Sequence, residues 1–131
     1  MWIPKYRKRI LFGLIETSFK KLLREKILSL GLNSEVIECM PDHVHLFIKS
    51  YPNCNIPFIV KMLKGFTSRR LRQELPQLKK FKHLWAPGYF CETIGNITEK
   101  TVIRYINNQV CYYHNSRNYQ YTCLNNLVIL L

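Results

Sequence analysis

Apolar positions along this chain switch between a helical and a strand rhythm. In ETSFKKLLREKILSLGL, Phe19, Leu22, Leu23, Ile27, Leu28 and Leu30 recur at helical spacing, and Gly31 stands where a helix C-terminal glycine belongs. SEVIECM and HVHLFIKS read as two strands, with Pro41 and Asp42 as the turn between them. NIPFIVKMLKGFTSRRLRQEL opens on Asn55 as a cap, carries Pro57 in its first turn, and runs as a helix to about Leu75. HLWAPGYFCETIG is strand-like with a bend at Pro87 and Gly88, and TEKTVIRYINNQVCYYHN is a final helix capped by Thr98. Residues 1–4, MWIP, look like the end of a strand.

The order is strand, helix, strand, strand, helix, strand, helix. It predicts an α+β fold: an antiparallel sheet of split βαβ topology, as in ferredoxin-like and RRM-like domains, with helices on one face and an extra C-terminal helix. A chain of 131 residues is enough for one domain with a real core and too short for two. Residues 1–96 would form the sheet and its helices, 97–117 the last helix, and 118–131 a tail. The sequence contains no internal repeat, low-complexity tract or linker.

Charge narrows the class. Twenty Lys and Arg oppose eight Asp and Glu, a formal net charge of +12. Such an excess in a small domain points to a polyanion, either nucleic acid or an acidic membrane surface. The positive charge is concentrated in residues 1–26 and 61–82, and two separate basic segments can frame a groove for a phosphate backbone. No apolar run approaches the ~20 residues of a membrane-spanning helix. The five cysteines (Cys39, Cys54, Cys91, Cys111 and Cys123) form no CxxC pair, which argues against a thiolate zinc site and a disulfide framework. The chain is therefore expected in a reducing cytoplasm, without a membrane partner.

Two patterns carry candidate chemistry. In MPDHVHLFIKS, His43 and His45 lie two apart on a strand and so project to one face, while Asp42, Val44 and Leu46 have the opposite parity. Adjacent imidazoles can chelate one divalent cation, with a third ligand drawn from elsewhere. In YINNQ, Tyr105 and Gln109 are four apart and share a helix face. A tyrosine can act as a nucleophile, and a glutamine carboxamide oxygen can ligate a hard metal. Each pattern alone also fits ordinary surface histidines and packing tyrosines.

Together, HxH on a strand, a basic helix, GYF followed by a threonine and a glycine, and YIxxQ on the last helix resemble a known family. The matching stretches are PKYRKRIL (4–11), MPDHVHLFI (40–48), LKGFTSRRLR (63–72), LWAPGYFCETIGN (84–96) and VIRYINNQ (102–109). The chain is similar to the single-tyrosine HUH transposases of minimal bacterial and archaeal insertion sequences, relatives of the HUH nucleases of rolling-circle replication. It departs from them in two ways. Family members carry several more residues of the first strand before the position of Trp2, so that strand is expected to be short. The joint before the last helix is Gly95-Asn96, with one glycine where the family often has two.

The resemblance implies the following expectations. His43, His45 and Gln109 would bind Mg²⁺ or Mn²⁺, and Tyr105 would attack the scissile phosphate of single-stranded DNA, giving a 5′-phosphotyrosine. Substrate ends would carry DNA hairpins, and the protein would be a homodimer with Gly95 and Asn96 as the hinge of the tyrosine helix. Lys5, Arg7, Lys8, Arg9, Arg69, Arg70 and Arg72 are candidate phosphate contacts, and Tyr6, Trp85 and Tyr89 candidate stacking residues. The competing readings are a domesticated repeat-hairpin nuclease, a nucleic-acid-binding module without chemistry, and a metal-dependent hydrolase that uses water.

Overall fold

A computed structural model describes residues 1–50, 53–94 and 128–130. Helix α1 spans Gly13–Ser29 and buries Phe19, Leu22, Leu23 and Ile27 on its inner face. Leu28, apolar and in phase with that stripe, points outward instead. The helix ends as its glycine requires: Gly31 adopts φ +71°, and the Leu30 amide closes the last turn on Lys26 and Ile27. Strands β1 (Asn33–Met40) and β2 (His43–Lys49) form an antiparallel hairpin across Pro41 and Asp42. Helix α2 spans Ile56–Glu74, and its Asn55 cap accepts the Phe58 amide at 3.0 Å.

The sheet is completed by β3 (Glu92–Ile94) and β4 (Val128–Leu130), in the order β1-β2-β4-β3. The expected α+β fold with an antiparallel sheet is observed. Where a short first strand is expected, residues 1–4 make only two isolated bridges. Trp2 bridges Val44 on β2, and Pro4 bridges Trp85 on the opposite side. Further along β2, Phe47 pairs with Leu130, which also pairs with Glu92 of β3.

Residues 1–4 and β4 therefore occupy the same column of the sheet, between β2 and the 84–94 segment. The sequence assigns 118–131 to a tail, and periodicity cannot show that three of these residues find a strand slot. The pairing depends on β2 and β3, which are remote in sequence. The expected helix at 97–117, with Thr98, Gly95 and Asn96, lies outside the described residues.

The core lies between the sheet and the two helices. Val44, Leu46 and Ile48 of β2 face it, against Leu22, Leu23 and Ile27 of α1 and Leu63 and Leu71 of α2. At one end Trp2, Phe19 and Trp85 pack as an aromatic trio, with ring centroids 5.2–6.3 Å apart. Trp85 is buried, and its indole N–H donates to Thr67 Oγ1 at 3.1 Å. It is thus a core residue and not a surface on which a base can stack.

Candidate active site and nucleic-acid interface

The strand parity read from the sequence holds on β2. Val44 and Leu46 are fully buried toward the helices, and His43 and His45 share the opposite face. Their rings meet edge to face, with centroids 5.0 Å apart. His45 is also buried, at 3% exposure, and its Nδ1 has no hydrogen-bond partner among the described residues. Burial, and secondarily the neighbouring His43, push the His45 pKa down to about 4. The ring is therefore neutral at physiological pH, which is the form that can ligate a cation.

Asp42 behaves differently from its parity. Because it sits in the turn, its carboxylate reaches around to His43, with Oδ1 2.7 Å from Nδ1. Its other oxygen accepts Arg7 Nε at 2.9 Å. Burial raises the Asp42 pKa, but the hydrogen bonds from His43 and Arg7 outweigh it, and the group ends below the ordinary carboxylate value. The sequence reading also passed over Glu38. It pairs directly across the hairpin from His45, so an exposed carboxylate stands on the histidine face. The signal that finds it is the hairpin register, which a two-residue turn at Pro41 and Asp42 fixes.

Do these residues fit a divalent cation? Two imidazoles on one face and an unpartnered buried nitrogen fit one. No group of three His, Cys, Asp or Glu side chains is arranged to hold a metal among the described residues. A third ligand must therefore come from another segment or another residue type. Gln109 and Tyr105 lie outside the described residues.

The basic residues fall into distinct roles. Arg7, Lys8, Arg9 and Arg69 are exposed, and Lys5 is half-buried. Lys8 and Lys80, from different segments, both lie over the Phe81 ring: their Nζ atoms are 4.6 and 5.4 Å from its centroid, so the two basic stretches meet there. Arg70 is paired with Glu74 at 3.1 Å and rests on Phe66. Arg72 donates to the Ser68 and Lys82 carbonyls at 3.0 and 3.2 Å, so part of its guanidinium has a structural task.

Between α2 and residues 82–89 runs a groove of about 350 Å³ whose lining includes Lys61, Arg72, Lys82, His83 and Tyr89. Lys64 fixes its wall by donating to the carbonyls of Ala86, Pro87 and Gly88 at 2.6–3.2 Å. Tyr6 is 80% exposed beside Lys5, whose Nζ is 5.0 Å from the Tyr6 ring. No helix among the described residues is long and apolar enough to cross a membrane.

Residues 1–109 match the family described as "Transposase IS200 like". The ISDra2 transposase TnpA of Deinococcus radiodurans is 38% identical over 112 residues, which is 83% of this chain and 80% of that protein. The transposase for insertion sequence element IS200 of Salmonella typhimurium is 26% identical over 113 residues, 84% of this chain and 74% of that one. A crystal structure of a Deinococcus radiodurans transposase aligns with a TM-score of 0.68 at 36% identity, covering 82% of this chain and 85% of that one. Fold, basic surface and relatives together define a DNA-processing enzyme. The chain belongs to the IS200-like transposase family, and its function is DNA transposition.

Proposed function

We propose that this transposase cleaves and rejoins single-stranded DNA through a covalent tyrosine intermediate, and that it recognises hairpins at the ends of its element. The observation that carries the reading is the pair His43 and His45, side by side on β2 with a buried imidazole nitrogen left without a partner. His43, His45 and Gln109 would hold Mg²⁺ or Mn²⁺, whose mixed nitrogen and oxygen ligands suit an exchangeable ion better than structural zinc. Such an ion supplies Lewis-acid polarisation of the scissile phosphate.

The Tyr105 phenol oxygen attacks phosphorus and forms the new P–O bond. The bond to the 3′ oxygen breaks, that oxygen leaves with the electron pair and is protonated, and a 5′-phosphotyrosine remains. Reversal by a 3′-hydroxyl rejoins strands without ATP, because the phosphodiester energy is kept in the tyrosyl ester. One tyrosine per chain serves one DNA end, so excision of an element needs two subunits. The edge position of β1, eight residues long, supports a homodimer, since an edge ladder can pair with a second copy. Gly95 and Asn96 would be the joint that places the tyrosine helix on its own or the partner's histidines.

The test is a denaturing gel with single-stranded DNA from the element end. Wild type should give a protein–DNA adduct whose formation chelator prevents and added Mn²⁺ restores, and Tyr105→Phe should give none while still binding the hairpin. Cleavage that survives Tyr105→Phe would indicate attack by water. Binding with neither adduct nor cleavage would indicate a module without chemistry.

A further inference from the structure

The turn before the histidine strand is tied twice to the N-terminal basic segment. The Leu11 amide donates to the Pro41 carbonyl at 3.0 Å, and Arg7 Nε donates to Asp42 Oδ2 at 2.9 Å. The Arg7 contact comes from an unusual place. Tyr6 and Arg7, neighbours in the Lys5–Arg7 turn, both adopt left-handed φ angles, 59° and 51°. For non-glycine residues that conformation costs on the order of 1 kcal/mol or more each, and it persists only where surrounding contacts hold it. Here those contacts are Arg7 N–H to the Pro4 carbonyl at 2.9 Å, Lys5 N–H to the Leu84 carbonyl at 2.8 Å, and the Asp42 carboxylate.

The same carboxylate sets the state of His43. An ionised carboxylate only accepts hydrogen bonds, so at 2.7 Å the His43 Nδ1 is the donor, and Nε2 is the ring nitrogen that Asp42 leaves free for another partner. Arg7 spends only its Nε on Asp42. Its side chain is 65% exposed, and its chain neighbour Tyr6 is 80% exposed.

We propose that Asp42 is a positioning residue that couples the Lys5–Arg7 turn to His43, so that a nucleic-acid phosphate bound at this turn and a cation bound at the histidines strengthen each other. The first half, the setting of His43, rests on geometry alone. The second half rests on the metal role proposed above for His43 and His45. A phosphate on the Arg7 amino groups orders the guanidinium, the guanidinium orders Asp42, and Asp42 holds Nε2 of His43 toward the ligand position. Linkage makes the effect reciprocal: whatever factor the DNA adds to cation affinity, the cation adds to DNA affinity.

The experiment uses the full chain, with ¹⁵N NMR of the His43 ring in metal-free protein at alkaline pH and Mn²⁺ titration followed by electron paramagnetic resonance. Mn²⁺ is titrated with and without an oligodeoxythymidine as the single-stranded probe. Wild type should show the Nδ1–H tautomer of His43. Asp42→Ala should shift it toward Nε2–H and weaken Mn²⁺ binding at least about tenfold. Asp42→Asn keeps an acceptor for His43 and serves if the alanine variant does not fold; it should preserve the tautomer and lose the Arg7 link.

In wild type the oligonucleotide should tighten Mn²⁺ several-fold, and Arg7→Gln and Asp42→Asn should abolish that tightening. An unchanged tautomer and unchanged Mn²⁺ affinity in folded Asp42→Ala would overturn the positioning role. Tightening that persists in Arg7→Gln would overturn the coupling. If wild type bound Mn²⁺ no better than His43→Ala, the metal role itself would fail together with the coupling, while the metal-free tautomer would still decide what Asp42 does.

Discussion

Thr67 and Trp85 are joined through one hydroxyl in the core: Thr67 Oγ1 accepts the Trp85 indole N–H at 3.1 Å and donates to the Leu63 carbonyl at 2.8 Å. Thr67 is the only fully buried position of α2 that is polar among the described residues, and this pair explains it. Thr67→Val keeps the shape and removes the acceptor, leaving a buried indole N–H without a partner. It should cost about 2 kcal/mol in urea unfolding, whereas Thr67→Ser should cost less than half of that. Equal losses for both substitutions would mean that the methyl group, and not the hydroxyl, matters.

Lys64 is a second helix residue turned to structural use. Its ammonium is shared by three consecutive carbonyls, and burial holds its pKa below the ordinary lysine value. Lys64→Met should destabilise the protein by about 2 kcal/mol. It should also raise amide exchange and proteolysis selectively around Pro87 and Gly88. If exchange rose uniformly across the sheet instead, the lysine would be contributing to global packing and not to this loop.

Acid should find His45 early in metal-free protein. Its pKa falls from an ordinary 6.5 to about 4 on folding, chiefly through burial. Between those values the unfolded chain binds the proton and the folded chain does not, so stability drops as pH falls through this window and levels off below it. The loss attributable to this group should be on the order of 3 kcal/mol. His45→Gln should flatten that part of the stability profile; an unaltered profile would assign the acid sensitivity to other groups.

Salt dependence should rank the arginines. Arg69 is exposed, whereas Arg70 is paired with Glu74 and lies on Phe66. Arg69→Ala should lower the salt slope of single-stranded DNA binding by about one charge, and Arg70→Ala by distinctly less. The reverse order would show that the Glu74 pair opens when DNA binds.

The sequence by itself determined most of the local structure. A 3.6-residue stripe ending on Gly31, a cap at Asn55 and alternation on either side of Pro41 and Asp42 are local signals, and α1, α2 and the β1–β2 hairpin follow from them. It also determined that His43 and His45 share a face, because strand parity needs no tertiary information. The family was legible for the same reason: its motifs lie in short contiguous stretches.

Tertiary structure decided what depends on partners remote in the chain. It placed Trp85 in the core against Thr67 and Trp2, and it sent Leu28 to solvent although it lies in phase with the buried stripe. It gave Val128–Leu130 a place between β2 and β3, which hydrogen-bonding groups on two distant strands make available. It also turned Asp42 from the residue of wrong parity into the partner of both His43 and Arg7. Parity governs a side chain within a regular strand, and Asp42 stands in the turn, where the backbone changes direction and a short carboxylate can reach both neighbours.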